Sequence, residues 1–419
     1  MPEPNGPRCL RIAFLLYRGN PRCGGQGVYT RHLTRELAAL GHLVTVFSGP
    51  PYPELEDPVE LVKVASLDLY REPDPFRVPK LREFTSPTDV LEFALMCSAG
   101  FPEPLTFSLR ARRLLAGRRG DFDLVHDNQC LGRGIAGLMR DGWPVLATIH
   151  HPITVDRELD MAHAEGWRRR LTLRRWYGFV GMQAQVARQV RRVVTVSESS
   201  RRDIADQLGV EPGRIAVVPV GVDSSVFRPV PAVRHVPGRI MTTASSDVPM
   251  KGLHPLLEAL AKVRTEREEA HLVVIGRLRE GSTIPAALDR LGLSSAVRFV
   301  SGVSDEEIVE LYGEAELAVV PSLYEGFSLP AIEAMACGVP LIATTGGALP
   351  EVAGTSGVSA LLVPPDDPGA LAQAIVTAFS DESLRARLAL AGRRRVAERF
   401  TWPVTARATA EQYFELLAC

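Results

Sequence analysis

The chain has 419 residues, with 48 Lys and Arg against 49 Asp and Glu, 46% hydrophobic and 23% charged. Its length is about three times a ~150-residue domain, which excludes a single small module and points to two domains or one large α/β unit. The near-neutral balance carries no nucleic-acid signature, and the ordinary composition excludes a disordered or fibrous chain.

From the start, Met1-Pro2-Glu3-Pro4-Asn5-Gly6-Pro7 lacks a basic segment followed by an apolar one, so no secretory leader is expected and the expected location is cytoplasmic. Apolar runs such as Leu10–Tyr17 fall short of the ~20 residues a membrane-spanning helix needs. Six cysteines, at 9, 23, 97, 130, 337 and 419, form no CxxC pair and read as scattered reduced thiols. Short β-branched runs at Leu10–Leu16, Leu43–Phe47, Phe122–His126, Val145–Ile149, Val193–Val196 and Ile215–Val218 alternate with longer helical patterns. That alternation predicts a parallel sheet covered on both faces. Between about Tyr52 and Gly120 it breaks, with prolines at 73, 75, 102 and 104, and long loops are expected there. A Pro-rich stretch holding Pro229, Pro231 and Pro237 follows, and the alternation restarts at Ile240–Ala244, His271–Ile275, Val297–Val300, Leu317–Val320 and Pro340–Ala343. Two doubly wound domains are therefore expected, over 1–225 and 226–400, the first with net charge +4 and the remainder −5. A last helix over 401–419 is expected to return to the first domain.

Two stretches carry candidate chemistry. Cys23-Gly24-Gly25-Gln26-Gly27 lies between the first strand and a helical pattern, where backbone N–H groups can face an anion. Thr30 stands where a dinucleotide fingerprint wants its third glycine, and no acidic residue ends the second strand, which disfavours NAD. The densest stretch is Pro321-Ser322-Leu323-Tyr324-Glu325-Gly326-Phe327-Ser328-Leu329-Pro330, continuing through Glu333 to Gly338. A helix starting at Ser328 or Leu329, with Pro330 in its first turn, aims free N–H groups at the ligand-binding edge of the sheet. Glu325 then lies in the loop and Glu333 one turn inside the helix. Either carboxylate could instead merely stabilise the helix dipole.

Glu325 and Glu333, with Gly-Phe-Ser-Leu-Pro between and Glu-Ala-Met-Ala-Cys-Gly-Val-Pro after, resemble the E-x7-E signature of retaining GT-B glycosyltransferases of family four. Gly24-Gly25, Ala147-Thr148-Ile149-His150, Val194-Thr195-Val196-Ser197-Glu198-Ser199, Val218-Pro219-Val220-Gly221-Val222-Asp223 and Lys251-Gly252 resemble further family stretches in the right order over about residues 10–400. The resemblance implies two Rossmann-like domains facing each other across a cleft, with the second domain holding a nucleotide-diphosphate sugar. It gives Glu333 the ribose hydroxyls and Glu325 the donor sugar. Backbone N–H groups at Phe327, Ser328 and Leu329 would hold sugar and diphosphate, and Gly24, Gly25 and Gly326 would line the donor site. Lys251 would neutralise the leaving diphosphate, His150 would reach the donor sugar and Val303 would border the base.

The implied reaction transfers a hexosyl unit to an acceptor hydroxyl with retention, without metal or other cofactor, and with a UDP-sugar expected ahead of a GDP-sugar. One departure stands out: Ser245 occupies the place of the family's diphosphate arginine, so either Arg277 or another arginine substitutes, or donor binding is weaker. Two alternatives remain open, another GT-B enzyme of epimerase or phosphorylase type and a non-catalytic nucleotide-sugar-binding protein. Asp121-Phe122-Asp123 matches an Asp-x-Asp metal motif, but it precedes a strand and reads as structural. Residues 166–192 hold eight arginines and no acidic residue, interleaved with aromatics. The Arg168–Arg192 region reads either as a peripheral contact for anionic membrane on its inner face, or as solvated helix whose arginines cover apolar surface.

Overall fold

In a computed structural model the described residues are 9–20, 25–162, 164, 166–231, 233–244, 248–279 and 281–418, the side chains at 155, 156, 159 and 162 excepted. The chain divides into two compact units. One comprises residues up to Val196, Ser200–Val218 and Thr405 onward, the other Ser197–Ser199 and Pro219–Val404.

The first unit holds a parallel sheet of β1 (Arg11–Leu16), β2 (Leu43–Ser48), β3 (Glu60–Lys63), β4 (Leu124–Asn128), β5 (Val145–Thr148), β6 (Arg192–Thr195) and β7 (Ile215–Val217), in the order β3-β2-β1-β4-β5-β6-β7. Its central strands are buried almost throughout, which is why β1, β4 and β5 read as continuous apolar runs rather than alternating ones. The second unit holds β8 (Arg239–Thr243), β9 (His271–Ile275), β10 (Val297–Val300), β11 (Leu317–Val320), β12 (Leu341–Thr344) and β13 (Leu361–Val363), again all parallel, in the order β10-β9-β8-β11-β12-β13. Both sheets are doubly wound α/β sheets of Rossmann type. Chain order reverses between β1 and β4 in one and between β8 and β11 in the other, and ligands in such sheets bind beyond the strand ends at that switch.

The stretch expected to be long loops, 52–120, is instead built. It contributes edge strand β3 and the helices Pro87–Cys97 and Glu103–Leu115. Strand β3 escaped sequence reading because it has four residues and no buried face to impose a pattern. The first helix is capped where Asp89 Oδ2 accepts the Ser86 N–H at 2.7 Å, and Arg110 Nη2, on the second helix, binds Asp89 Oδ1 at 2.6 Å and also Glu92. Charges pair inside these helices where periodicity would call for apolar residues, so the helical pattern was hidden. Asp123 accepts from the Arg11 N–H at 2.8 Å and from Arg11 Nη2 at 2.9 Å, at the strand-start end of the sheet, where it ties β1 to β4. The helix Trp402–Ala418 closes the chain, with Tyr413 fully buried in the first unit. Among the described residues no helix is long and apolar enough to cross a membrane.

Candidate functional site

In the second unit, the loops after β8, β11 and β12 are forced together by glycines. After β8 the turn Pro249–Lys251 passes into Gly252 at φ 65°, where a Cβ would lie 1.9 Å from the Pro321 carbonyl oxygen. Only glycine fits, both for its backbone angle and for this approach. The Leu323 N–H donates to the Met250 carbonyl at 2.8 Å and fixes the two loops in register. From β12, Gly347 at φ 60° comes so near the Glu325 backbone that a Cβ would sit 2.3 Å from its carbonyl oxygen, which accepts the Ala348 N–H at 2.8 Å. The result brings together two residues singled out from sequence. Lys251 Nζ lies 2.7 Å from Glu325 Oε1, and the same oxygen accepts from Ser322 Oγ at 2.7 Å. Glu325 is largely enclosed, its side chain 11% exposed, whereas Lys251 keeps 34%.

Just beyond, Ser328 at φ 118° precedes the helix Leu329–Ala336, with Pro330 in its first turn. A non-glycine residue there stores on the order of 1–3 kcal/mol of backbone strain. Among the described residues the buried Ser328 hydroxyl meets no hydrogen-bond partner. The Phe327 ring packs edge-on against Phe400 at 5.7 Å between centroids, so its side chain belongs to the core. What this segment can offer a ligand is the unpaired N–H groups and positive pole of a helix N-terminus. Glu333, one turn in, is half-buried, and burial, with a smaller contribution from Asp305, pushes its carboxyl up to about 7. Val303 is half-buried and follows Gly302 at φ 74°, beyond the end of β10. Gly24 and Ser245 lie outside the described residues.

In the first unit, His150 follows β5. Its Nε2 lies 2.8 Å from Asn128 Oδ1 at the end of β4, and its backbone N–H donates to Gln129 Oε1 at 2.8 Å. The Tyr29 ring meets the imidazole edge-on, with centroids 4.7 Å apart. Burial drives the His150 pKa down to about 3, with His151 adding to it, so the ring is neutral at ordinary pH. Gly25 opens the helix Gly25–Ala39, and among the described residues nothing lies within 4 Å of a Cβ built there, whereas a Cβ at Gly27 would stand 2.0 Å from the Asn20 carbonyl. Gly27 is thus the glycine this turn requires. In the basic stretch, the helix Trp167–Trp176 buries Leu173 and exposes Trp167, Leu171 and its arginines.

Ser322, Asn128 and Gln129 were missed from sequence. Ser322 lies within the stretch already singled out, and Asn128-Gln129 is a polar pair closing a buried strand, a signal that could have drawn attention.

The description "Glycosyltransferase Family 4" matches residues 23–226, and "Glycosyl transferases group 1" matches residues 234–395. An MMP alpha-(1->4)-mannosyltransferase of Mycolicibacterium hassiacum is 51% identical, over 98% of this chain and 99% of that protein. A D-inositol 3-phosphate glycosyltransferase of Kineococcus radiotolerans is 30% identical, over 94% and 91%. Among solved structures, a sucrose-phosphate synthase from Thermosynechococcus elongatus shares the fold, with a TM-score of 0.72 at 24% identity over 98% of this chain and 99% of that one. HepE of Anabaena in complex with UDP-glucose does so with a TM-score of 0.68 at 19% identity, over 97% and 100%. These matches run through both sheets, the loops that carry Lys251, Glu325 and His150, and the helix that carries Glu333, and the chain belongs to the family 4 glycosyltransferases of GT-B type.

Proposed function

We propose that this glycosyltransferase is a retaining α-(1→4)-mannosyltransferase, taking its mannosyl unit from a nucleoside-diphosphate sugar and giving it to an acceptor hydroxyl. The observation that carries the reading is the 51% identity to a mannosyltransferase along essentially the whole chain. The second unit's geometry supports it. Glu333, as a carboxylate, is an acceptor suited to paired ribose hydroxyls. Glu325, held by Lys251 and Ser322, presents its remaining acceptor capacity to a sugar hydroxyl. Lys251 and the helix beginning at Leu329 supply positive charge for the leaving diphosphate. In the reaction the bond from the anomeric carbon to the diphosphate oxygen breaks, and the acceptor oxygen bonds to the same face. The acceptor proton passes to the leaving phosphate, so the scheme needs no separate general base.

The test incubates the protein with GDP-mannose, and separately with UDP-glucose, together with an α-(1→4)-linked mannooligosaccharide and a chelator. The anomeric configuration of the product is read by NMR. A new α-(1→4) mannosyl link is the expected result. Transfer only from UDP-glucose, or a β-linked product, overturns the reading.

A further inference from the structure

His150 does not hold its orientation alone, and the groups around it decide which ring nitrogen carries the proton. Thr30 Oγ1 lies 2.8 Å from the Gln26 carbonyl oxygen, which can only accept, so the Thr30 hydroxyl spends its proton there. Toward Asn128, 3.2 Å away, Thr30 Oγ1 can therefore only accept, and the amide must turn its NH2 to Thr30. That leaves Asn128 Oδ1 facing His150 Nε2 at 2.8 Å, and an amide oxygen can only accept. His150 Nε2 carries the proton. Among the described residues, Nδ1 meets no hydrogen-bond partner.

The next residue clamps the backbone. Gln129 Oε1 accepts the His150 N–H at 2.8 Å, while its Nε2 donates to the His151 carbonyl at 2.8 Å. To do so Gln129 adopts φ 56°, a left-handed conformation uncommon for a non-glycine residue, and Leu131 follows at φ 50°. Asp127 steadies this turn, its Oδ2 accepting the Leu131 N–H at 2.8 Å. Asn128 is wholly buried and Gln129 nearly so.

We propose that Asn128 and Gln129 are positioning residues that lock His150 as its Nε2–H tautomer and present Nδ1 as a hydrogen-bond acceptor for a sugar hydroxyl. The part concerning the hydroxyl rests on the donor-sugar reading of His150, whereas the tautomer lock stands without it. The titratable groups facing His150 are His151 beside it, His126 on β4 and Tyr29 on the helix Gly25–Ala39. Ser200 Oγ, from the helix Glu198–Asp203, reaches its carbonyl oxygen. None of these places a carboxylate against the ring.

The test has two readouts. In protein labelled with 15N at histidine, long-range 15N–1H correlation spectra report the tautomer, with His150→Ala assigning the signal. The wild type should show a protonated Nε2 and a bare Nδ1. Asn128→Ala should give mixed tautomers, and Thr30→Val, which frees the amide to turn, should do the same. Asn128→Asp keeps the shape but sets a carboxylate against Nε2, so the ring should hold a second proton at mildly acidic pH. In the transfer assay with GDP-mannose, Asn128→Ala and Gln129→Ala should lower kcat on the order of tenfold to a hundredfold. At saturating GDP-mannose, where the Glu333 titration no longer limits binding, the Asn128→Asp kcat should fall as pH decreases while the wild-type kcat does not. An unchanged wild-type tautomer in both Asn128→Ala and Thr30→Val overturns the lock. Full transfer activity in His150→Ala instead overturns the donor-sugar reading and leaves the lock standing.

Discussion

The two units build their candidate residues onto the same scaffold feature with opposite electrostatics. In both, loops converge where strand order reverses, between β1 and β4 or between β8 and β11. In the second unit those loops carry ionisable groups in direct contact, Lys251 on Glu325, with Glu333 one turn into the following helix. In the first unit the groups around His150 are neutral, and burial keeps both His150 and His126 uncharged, each with a pKa of about 3. A site meant to neutralise a diphosphate needs cations and a helix N-terminus, while one meant to orient a hydroxyl needs fixed neutral donors and acceptors. Glycines set the first arrangement by letting backbones touch. Side-chain amides set the second.

The largest expected effect tests the charged side. On the proposed function, Lys251→Ala should reduce sugar transfer on the order of a hundredfold to a thousandfold, the size of losing one preorganised electrostatic contact. Thermal unfolding should drop by only a few degrees, because the largely enclosed Glu325 loses its cation but keeps the Ser322 hydroxyl as a donor. A fully active variant would mean that another cation serves the diphosphate.

Gly252→Ala addresses the geometry instead of the charge. The new Cβ would meet the Pro321 oxygen at 1.9 Å in a left-handed backbone, so the second unit should lose more than about 2 kcal/mol in denaturant unfolding. Gly25→Ala, whose Cβ would meet no described atom within 4 Å, should leave unfolding unchanged.

Glu333 gives a pH signature. Its carboxyl is raised from an ordinary 4.5 to about 7 by burial and then by Asp305. Between those values the folded chain keeps a proton that the unfolded chain has released, so this group's contribution to stability declines as pH rises toward 7 and levels off above it. If the ionised form holds the ribose, GDP affinity measured by calorimetry should weaken by up to about tenfold per pH unit below 7. Glu333→Gln should abolish that slope. A slope that survives in the variant assigns the titration elsewhere.

The smallest effect belongs to the neutral side. His126 bridges Tyr413 on the last helix, with Nδ1 2.6 Å from the phenol oxygen, and Thr148, with Nε2 2.7 Å from the hydroxyl oxygen. Tyr413→Phe should cost about 1–3 kcal/mol by leaving a buried ring nitrogen unpaired, a drop of a few degrees in Tm. No change would show that water replaces the phenol.

Much of the molecule was legible along the chain, because buried parallel strands announce themselves as short apolar runs, and each run read as a strand falls within two residues of one at both ends. Strands β3 and β13 were not, since three or four half-exposed residues carry no pattern. The helices within 52–120 were hidden by prolines and by charges that pair only once Asp89, Glu92 and Arg110 are brought together. By itself the sequence determined the two αβ alternations, the Glu325 and Glu333 spacing that puts one carboxylate in a loop and the other inside a helix, and Lys251 before a glycine. Only the tertiary structure decided that Lys251 and Glu325, 74 residues apart, share a hydrogen bond, and that Asn128 and Thr30 assign the proton on His150. Spacing constrains residues within one element, whereas contacts between loops depend on strand order and on where a missing Cβ lets two backbones meet.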